Sequence, residues 1–496
     1  MGGCVSNLPG AAIGLMGRHD GHSRTHWLLR FASDCGVGPP RVPAKVGVMI
    51  RFLAGILLVG AAQAATLVAG PMAGPPTHVG VSLWLQADSV SVASVDYWPA
   101  NNASAKRSSA GIALVAEQQF SGKVALFGLE PGVQYRYNLR LDGELEAPAK
   151  VYGFSTQALW QWRRDAPDFS LLAGSCNYGN DPAFDRPGQP YGDRHDTIFK
   201  TMADQRPDLT LWLGDNLYFR EVDYSSPQGM ASRWKGERGQ PYLQPLLQTG
   251  AHAAIWDDHD YGPNDSNSSF MFKREALELQ QRYWPNPGFG LPELPGAFGT
   301  FSFNDVDVFL LDDRYYRDDH RLNNPARVMF GKPQMDWLKN ALLNSTAAFK
   351  LIASGGQMLH QSARGDSWLF YQQERDDLLK FLTESRVDGV VFLSGDIHRS
   401  ELTRIERPGA YPLHDLTCSP LTSGTYVDES LRVRANLVPG TVVMGERNFC
   451  HLRFEGSRAE RRIVMRVLND VGQVKWSHTL TRQQLSMPKL PITGTK

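Results

Sequence analysis

Six stretches of this chain are built alike: a continuous apolar run that stops abruptly at polar residues. They read FSLLAGSCN (169–177), LTLWLGDNLY (209–218), AAIWDDHDYG (253–262), VDVFLLDDRYY (306–316), FKLIASGGQ (349–357) and GVVFLSGDIH (389–398). Strands without polar alternation are buried on both faces and need covering layers. Two segments supply helices: GKPQMDWLKNALLNS carries Met335, Leu338, Leu342 and Leu343 at helical spacing, and YQQERDDLLKFLTES carries Leu378, Leu379 and Leu382. The alternation predicts an α/β core with strands packed between helices.

Residues 76–156 have a different texture. VGVSLWLQ alternates, KVALFGL follows a polar turn, and GLEPGVQYRYNLRLDG places Val133, Tyr135, Tyr137, Leu139 and Leu141 on one face of a strand. Turn residues between these runs suit a small all-β sandwich. The segment offers few metal-type side chains, so its expected role is packing or docking. The Pro/Gly-rich stretch WPNPGFGLPELPGAFG (284–299) reads as a surface loop near a site entrance.

The start of the chain reads as a leader. From Met49 one Arg precedes an apolar run and then Ala62-Gln63-Ala64, the pattern of a secretory signal over 49–64. The run is too short to span a bilayer, and residues 1–48 read as an upstream extension that is not native. The expected location is therefore outside the cytoplasm, periplasmic or extracellular. Removing residues 1–64 takes six of the 51 Lys/Arg and two of the 51 Asp/Glu, leaving 45 and 49 and a charge near −4. Nucleic-acid binders usually carry a basic excess, so that class is not expected. Cys176, Cys418 and Cys450 remain, and whether Cys418 pairs with Cys450 stays open.

In open α/β sheets, ligands gather beyond the carboxyl ends of strands. Five clusters stand there: Ser175-Cys176-Asn177, Gly214-Asp215 with Tyr218, Asp257 to Asp260, Asp312 to Arg314, and Gly395-Asp396 with His398. One Asp after a strand commonly caps the next helix. Five clusters offering thiol, carboxylate, phenol, amide and imidazole fit a metal centre better, because crowded carboxylates need a compensating cation. His252, His360 and His414 lack such a setting and read as structural. No Gly-x-Ser-x-Gly elbow is present, which weighs against a serine hydrolase.

The matches GSC (174–176), GDNLY (214–218), WDDHDYGPND (256–265), LDDRYYR (311–317) and LSGDIH (393–398) resemble those of the PhoD-like alkaline phosphatases, a branch of the metallophosphoesterases related to purple acid phosphatases. The resemblance runs from about residue 76 to the C-terminal region. It implies a four-layer metallophosphoesterase-like α/β sandwich, over 169–480, preceded by a small fibronectin-III-like β-sandwich. It further implies a dinuclear Fe(3+) and Ca(2+) centre. By this resemblance Asp215 bridges the metals, Tyr218, Cys176 and His398 complete the iron shell, and Asp258 and Asp396 hold the second ion. Carboxylates select hard cations, which suits calcium there. Asp257 and Asn264 stay open as further ligands. His259 is placed to protonate a leaving group or hold a phosphate oxygen, and Arg314 matches a family arginine near the phosphate.

The implied activity is hydrolysis of phosphate esters, monoesters or diesters. One alternative narrows this to a phosphodiesterase acting on phospholipid or cell-wall polymer head groups. Another is a non-catalytic, calcium-stabilised surface protein, which would explain the acidic clusters but not Cys176, Tyr218 and His398.

Overall fold

The computed structural model describes residues 64–188, 190–361 and 366–489. The leader and upstream-extension readings thus lie, apart from Ala64, outside the described residues. Among these, no helix is long and apolar enough to cross a membrane.

The unbroken apolar runs form two stacked sheets. In the first, Phe169–Gly174, Leu209–Leu213 and Ala251–Ile255 run parallel, and antiparallel strands Asn448–Glu455, Arg462–Asn469 and Val474–Thr481 extend one side. In the second, Val306–Leu310, Phe349–Ala353, Val390–Ser394 and Leu413–Thr417 run parallel, with Gly299–Phe303 and Glu401–Ile405 antiparallel at the edges. Every residue of Leu209–Leu213, Ala251–Ile255, Phe349–Ala353 and Val390–Ser394 is buried. Aromatic contacts join the two sheets: Phe454 stacks on Phe169 at 4.6 Å and approaches Phe349 at 5.7 Å. A disulfide between Cys418 and Cys450 ties the end of Leu413–Thr417 to the first sheet, which settles the pairing left open above.

Helices His195–Asp204, Pro227–Arg238, Lys273–Tyr283, Lys332–Asn344 and Gln372–Glu384 cover the sheets. Leu338 and Leu342 of one predicted helix and Leu378 and Leu382 of the other are buried, as their spacing requires. Leu343 is exposed; with Leu342 already inward, its neighbour turns to the outer face. Ser226 caps Pro227–Arg238, its hydroxyl accepting from the Gly229 amide at 3.1 Å with proline in the first turn.

The strand-rich N-terminal region forms the expected small β-sandwich, and one of its two layers is continuous with the first sheet. Leu67–Ala73, Gly80–Ala87 and Ser121–Phe127 continue the first sheet, making nine strands, through a parallel pairing of Ala73 with Ala251. Against their inner face packs a second small sheet centred on Ser91–Pro99 and Gln134–Leu141. Gln134–Leu141 alternates as read, with Tyr135, Tyr137, Leu139 and Leu141 inward. VGVSLWLQ does not remain half-exposed. Trp84 packs 5.8 Å from Tyr283, and the Gln86 amide donates to the Lys235 carbonyl, so helices cover the face expected to meet water.

The stretch 284–299 is anchored at both ends and exposed between them, at Pro287, Gly288, Leu291, Pro292, Glu293 and Pro295. Trp284, Ala297 and Phe298 are fully buried, Asn286 exchanges hydrogen bonds with the Ala254 backbone, and the Ala297 amide donates to Asp312. These contacts fix its ends in the core, and none of its residues lines either of the two cavities described below.

Candidate metal centre

The strand ends converge because the two sheets nearly touch there. A side chain on Gly395 would lie 2.5 Å from Ser175 Oγ and 2.6 Å from the Leu213 carbonyl, so only glycine permits this approach. Beyond it the backbone makes four sharp turns. Cys176 (φ 61°), Asp215 (φ 49°), Asp396 (φ 69°) and His398 (φ 47°) all occupy the left-handed region. That region is costly for residues with a Cβ, and such strain gathers at functional sites. Backbone bonds lock the turns: the Asn177 amide donates to the Asp215 carbonyl at 2.8 Å, and the Ser423 amide to the Cys176 carbonyl at 3.1 Å.

The turns bring the side chains together. Cys176 Sγ lies 3.6 Å from Asp215 Oδ2 and 3.4 Å from the Asp396 carbonyl oxygen. Tyr218 Oη stands 3.3 Å from His398 Nε2. Carboxylate oxygens of Asp215 and Asp258 and a ring nitrogen of His259 lie within 4.8 Å of one another. Asp215 thus faces the thiol on one side and Asp258 on the other. Asp258 opens the short helix Asp258–Tyr261, and its Oδ2 accepts from the Asp265 amide at 2.7 Å.

Electrostatics make this cluster unhappy without added positive charge. Burial, then Asp258, pushes the Asp215 carboxyl well above the usual carboxylate range. Burial also raises Asp258, but His259 and Arg314 outweigh it and hold that group low. Burial beside Asp366 and Asp258 lifts Asp396 to about 8. The Cys176 thiol and Tyr218 phenol are both pushed well above their ordinary values by burial and by Asp215. Desolvation lowers His398 to about 4, keeping its imidazole neutral. Buried carboxyls, a buried thiol and a neutral imidazole are ligand types whose pKa logic a bound cation inverts. The Asp257 Oδ2 and Asp313 Oδ1 atoms are buried without hydrogen-bond partners, consistent with a wall built for positive charge. The donor set therefore fits a two-cation centre.

Comparison with known proteins agrees. Residues 294–465 match the family model described as PhoD-like phosphatase. Over that segment the chain is similar to the PhoD-like phosphatases. Alkaline phosphatase D from Bacillus subtilis (strain 168) is 27% identical over 323 residues, covering 55% of this chain and 52% of that protein. The match thus spans about half the length of the curated relative. The solved structure of PhoD superposes with a TM-score of 0.68 at 19% identity over 87% of this chain and 92% of its own. Purple acid phosphatase PPD1 from yellow lupin seeds gives 0.60 at 12% identity, over 86% and 77%. These two likenesses show a metallophosphoesterase-like fold, as the motifs implied.

Within this PhoD-like fold, Arg314 is placed differently from its sequence reading. The guanidinium is wholly buried: Nε donates to Asp257 at 2.7 Å, and Nη2 pairs with Asp257 and Asp366. It lines neither cavity. The surrounding carboxylates claim it, because an unpaired buried cation would be far costlier. The same pairing commits Asp257 to Arg314, and Asn264 is exposed at a cavity rim. His259, in contrast, borders the larger cavity, its ring 4.0 Å from that of Tyr218 and its amide donating to Asp215 Oδ1 at 3.3 Å.

Several side chains at the centre escaped the sequence reading. Ser419 Oγ lies 3.1 Å from Cys176 Sγ, Ser423 Oγ 3.2 Å from His398 Nε2, and Tyr191 Oη 3.2 Å from His398 Nδ1. Asp265 and Asp366 form a second cluster with Asp258. All five lie in loops, and only the strand-end rule carried a signal. His252 is buried between Trp212 and the Leu246 carbonyl, and His414 within its strand; His360 meets Arg434.

Proposed function

We propose that this chain is an exported, metal-dependent phosphoric ester hydrolase of the alkaline phosphatase D type. The observation that carries the reading is the convergence of Cys176, Asp215, Tyr218, Asp258, Asp396 and His398 at the strand ends, helped by left-handed turns at four of them, beside a cavity lined by Tyr218 and His259. Cys176, Tyr218 and His398 are the residues that would hold Fe(3+), Asp258 and Asp396 would hold Ca(2+), and Asp215 would serve both. When bound, two such cations polarise a phosphoryl oxygen and lower the pKa of water.

The chain's own groups supply the rest. Tyr191 near His398 Nδ1 orients the ring so that Nε2 faces Tyr218, the arrangement by which outer partners fix ligand histidines. Arg314 acts as a positioning residue, keeping Asp257 and Asp366 fixed under the centre. His259 stands where the departing alcohol would emerge. Desolvation, with Arg314 nearby, holds its pKa below the ordinary value, so its imidazole stays neutral and its ring N–H can hold a phosphate oxygen. The disulfide between Cys418 and Cys450 supports export, since such bonds persist in oxidising compartments.

The test is hydrolysis of matched chromogenic mono- and diesters by the metal-loaded chain, with elemental analysis. Hydrolysis that fails with Asp215→Asn, in a protein containing iron, supports the reading. A colourless protein holding calcium alone and hydrolysing neither ester would replace it with the structural-calcium alternative.

A further inference from the structure

Resting on that reading, the cavity above the centre is far larger than a phosphoryl group needs. It encloses about 1100 Å³, at the upper end of the roughly 300–1,000 Å³ of whole small-molecule sites. Tyr218 and His259 form its wall toward the metal centre, and Tyr178, Tyr191, Phe219 and Tyr224 contribute further aromatic rings.

These rings are held in place. The Tyr178 hydroxyl donates to Asp185 at 2.8 Å, the Arg220 guanidinium lies 4.0 Å from the Tyr178 ring centre, and Tyr191 packs edge-on at 4.9 Å. Asn180 and Gly192 clip the intervening loop by two bonds, of 2.7 and 2.9 Å. Pre-set rings bind another ring face without further loss of conformational freedom.

Charge narrows the occupant. Both arginines lining the cavity are already matched, Arg220 with Asp185 at 2.7 Å and Arg186 with Glu221 at 3.0 Å. Each lining arginine has a carboxylate beside it, Arg220 within the wall and Arg186 in solvent, so an anionic leaving group would also meet Asp185 and Glu221. A glycerol-sized alcohol would touch few of the rings.

We infer that this aromatic cavity is a leaving-group subsite, and that the preferred substrates are phosphate esters of uncharged, ring-bearing alcohols. Nucleosides, sugars and phenols share that chemistry, and the experiment separates them. The kcat/KM of the iron- and calcium-loaded full chain is measured for nucleoside, glucosyl and phenyl phosphate esters, each relative to the glycerol ester. Dividing these ratios in the wild type by those in Tyr224→Ala cancels intrinsic leaving-group reactivity. For at least one class the quotient should reach about tenfold, the scale of one lost stacking partner, and Tyr224→Phe, which keeps the ring, should restore it. A quotient near one for all three classes overturns the inference while leaving phosphoester hydrolysis intact. If no ester is hydrolysed, the functional reading fails, and calorimetric titration with adenosine, glucose and phenol decides the subsite alone. Binding of one of them weakened about tenfold by Tyr224→Ala sustains it, and binding of none, or binding that Tyr224→Ala leaves unchanged, overturns it.

Discussion

The small sheet near the N-terminus and the cluster at the strand ends are opposite solutions to burial. Between the small sheet and its partner strands, Val95, Leu126, Tyr135, Tyr137, Leu139, Tyr152 and Phe154 form an apolar core, with Tyr135 stacked on Phe154 and Tyr137 on Tyr152, each at 5.4 Å. The buried acid on its central strand, Asp96, is paired with Arg140 at 2.9 Å. At the strand ends Asp215, Asp257, Asp258, Asp312, Asp313 and Asp366 are buried beside only two buried arginines, Arg314 and Arg317. One region is satisfied by apolar contacts, while the other crowds carboxylates that the chain's own arginines match only in part. Folding strength and reactivity are thus assigned to different parts of one continuous sheet.

The sharpest way to break this comparison is Asp215→Asn. Activity should fall at least a thousandfold, on the order of 4 kcal/mol of lost transition-state stabilisation. In metal-stripped protein the same substitution should raise the melting temperature, because it removes a charge from the crowded cluster; a lower melting temperature would mean the carboxylates are not in conflict. Metal removal from the wild type should cost about 2.7 kcal/mol or more where each ion was present at a hundred times its Kd, read by calorimetry with and without chelator. Next comes Tyr135→Ala, expected to cost about 3–5 kcal/mol by leaving a cavity while the folded fraction keeps its kcat, as denaturant melts and kinetics would report. Reduction of Cys418–Cys450 should cost about 2–4 kcal/mol, measured by melts with and without reductant.

A further expected effect is graded with pH. His252 is held at about 3, and His414 and His451 at about 4, each by desolvation. Folded pKa values below the unfolded value of about 6.5 mean that stability is complete above pH 6.5 and declines as pH falls toward 4. Each group contributes at most about 1.4 kcal/mol per pH unit. A melt series between pH 7 and 4 should show the decline, and His252→Gln should flatten it.

Much of this molecule was written plainly in its sequence. Leu209–Leu213 and Val390–Ser394 declare themselves because buried parallel strands leave no polar alternation, and their ends carry Asp215 and His398, chemistry that packing alone would not choose. Three things were not legible. Left-handed turns at Cys176 and Asp396 have no local signature, since glycine or asparagine would be the usual marker. Tyr191, Ser419 and Ser423 reach the centre from loops whose position only the folded chain defines. The fusion of the two β regions rests on a single register pair, Ala73 with Ala251, and helices bury Trp84 and Gln86 where alternation suggested water. The burial of Arg314 was hidden for a related reason: Asp366, its second partner, lies 52 residues away.

That shared register pair also governs how the gene can be trimmed. Gln244 and Gln248 hold Gly70 from the other side, through bonds of 2.9 and 2.7 Å. A shortened chain beginning after residue 157 would lay bare the Ala251 end of Ala251–Ile255, while Asn286 would still cover the Ala254 backbone. An uncovered apolar edge of that kind recruits other chains. The clipped protein should aggregate more readily than the full chain, because the N-terminal strands are part of what covers the larger sheet.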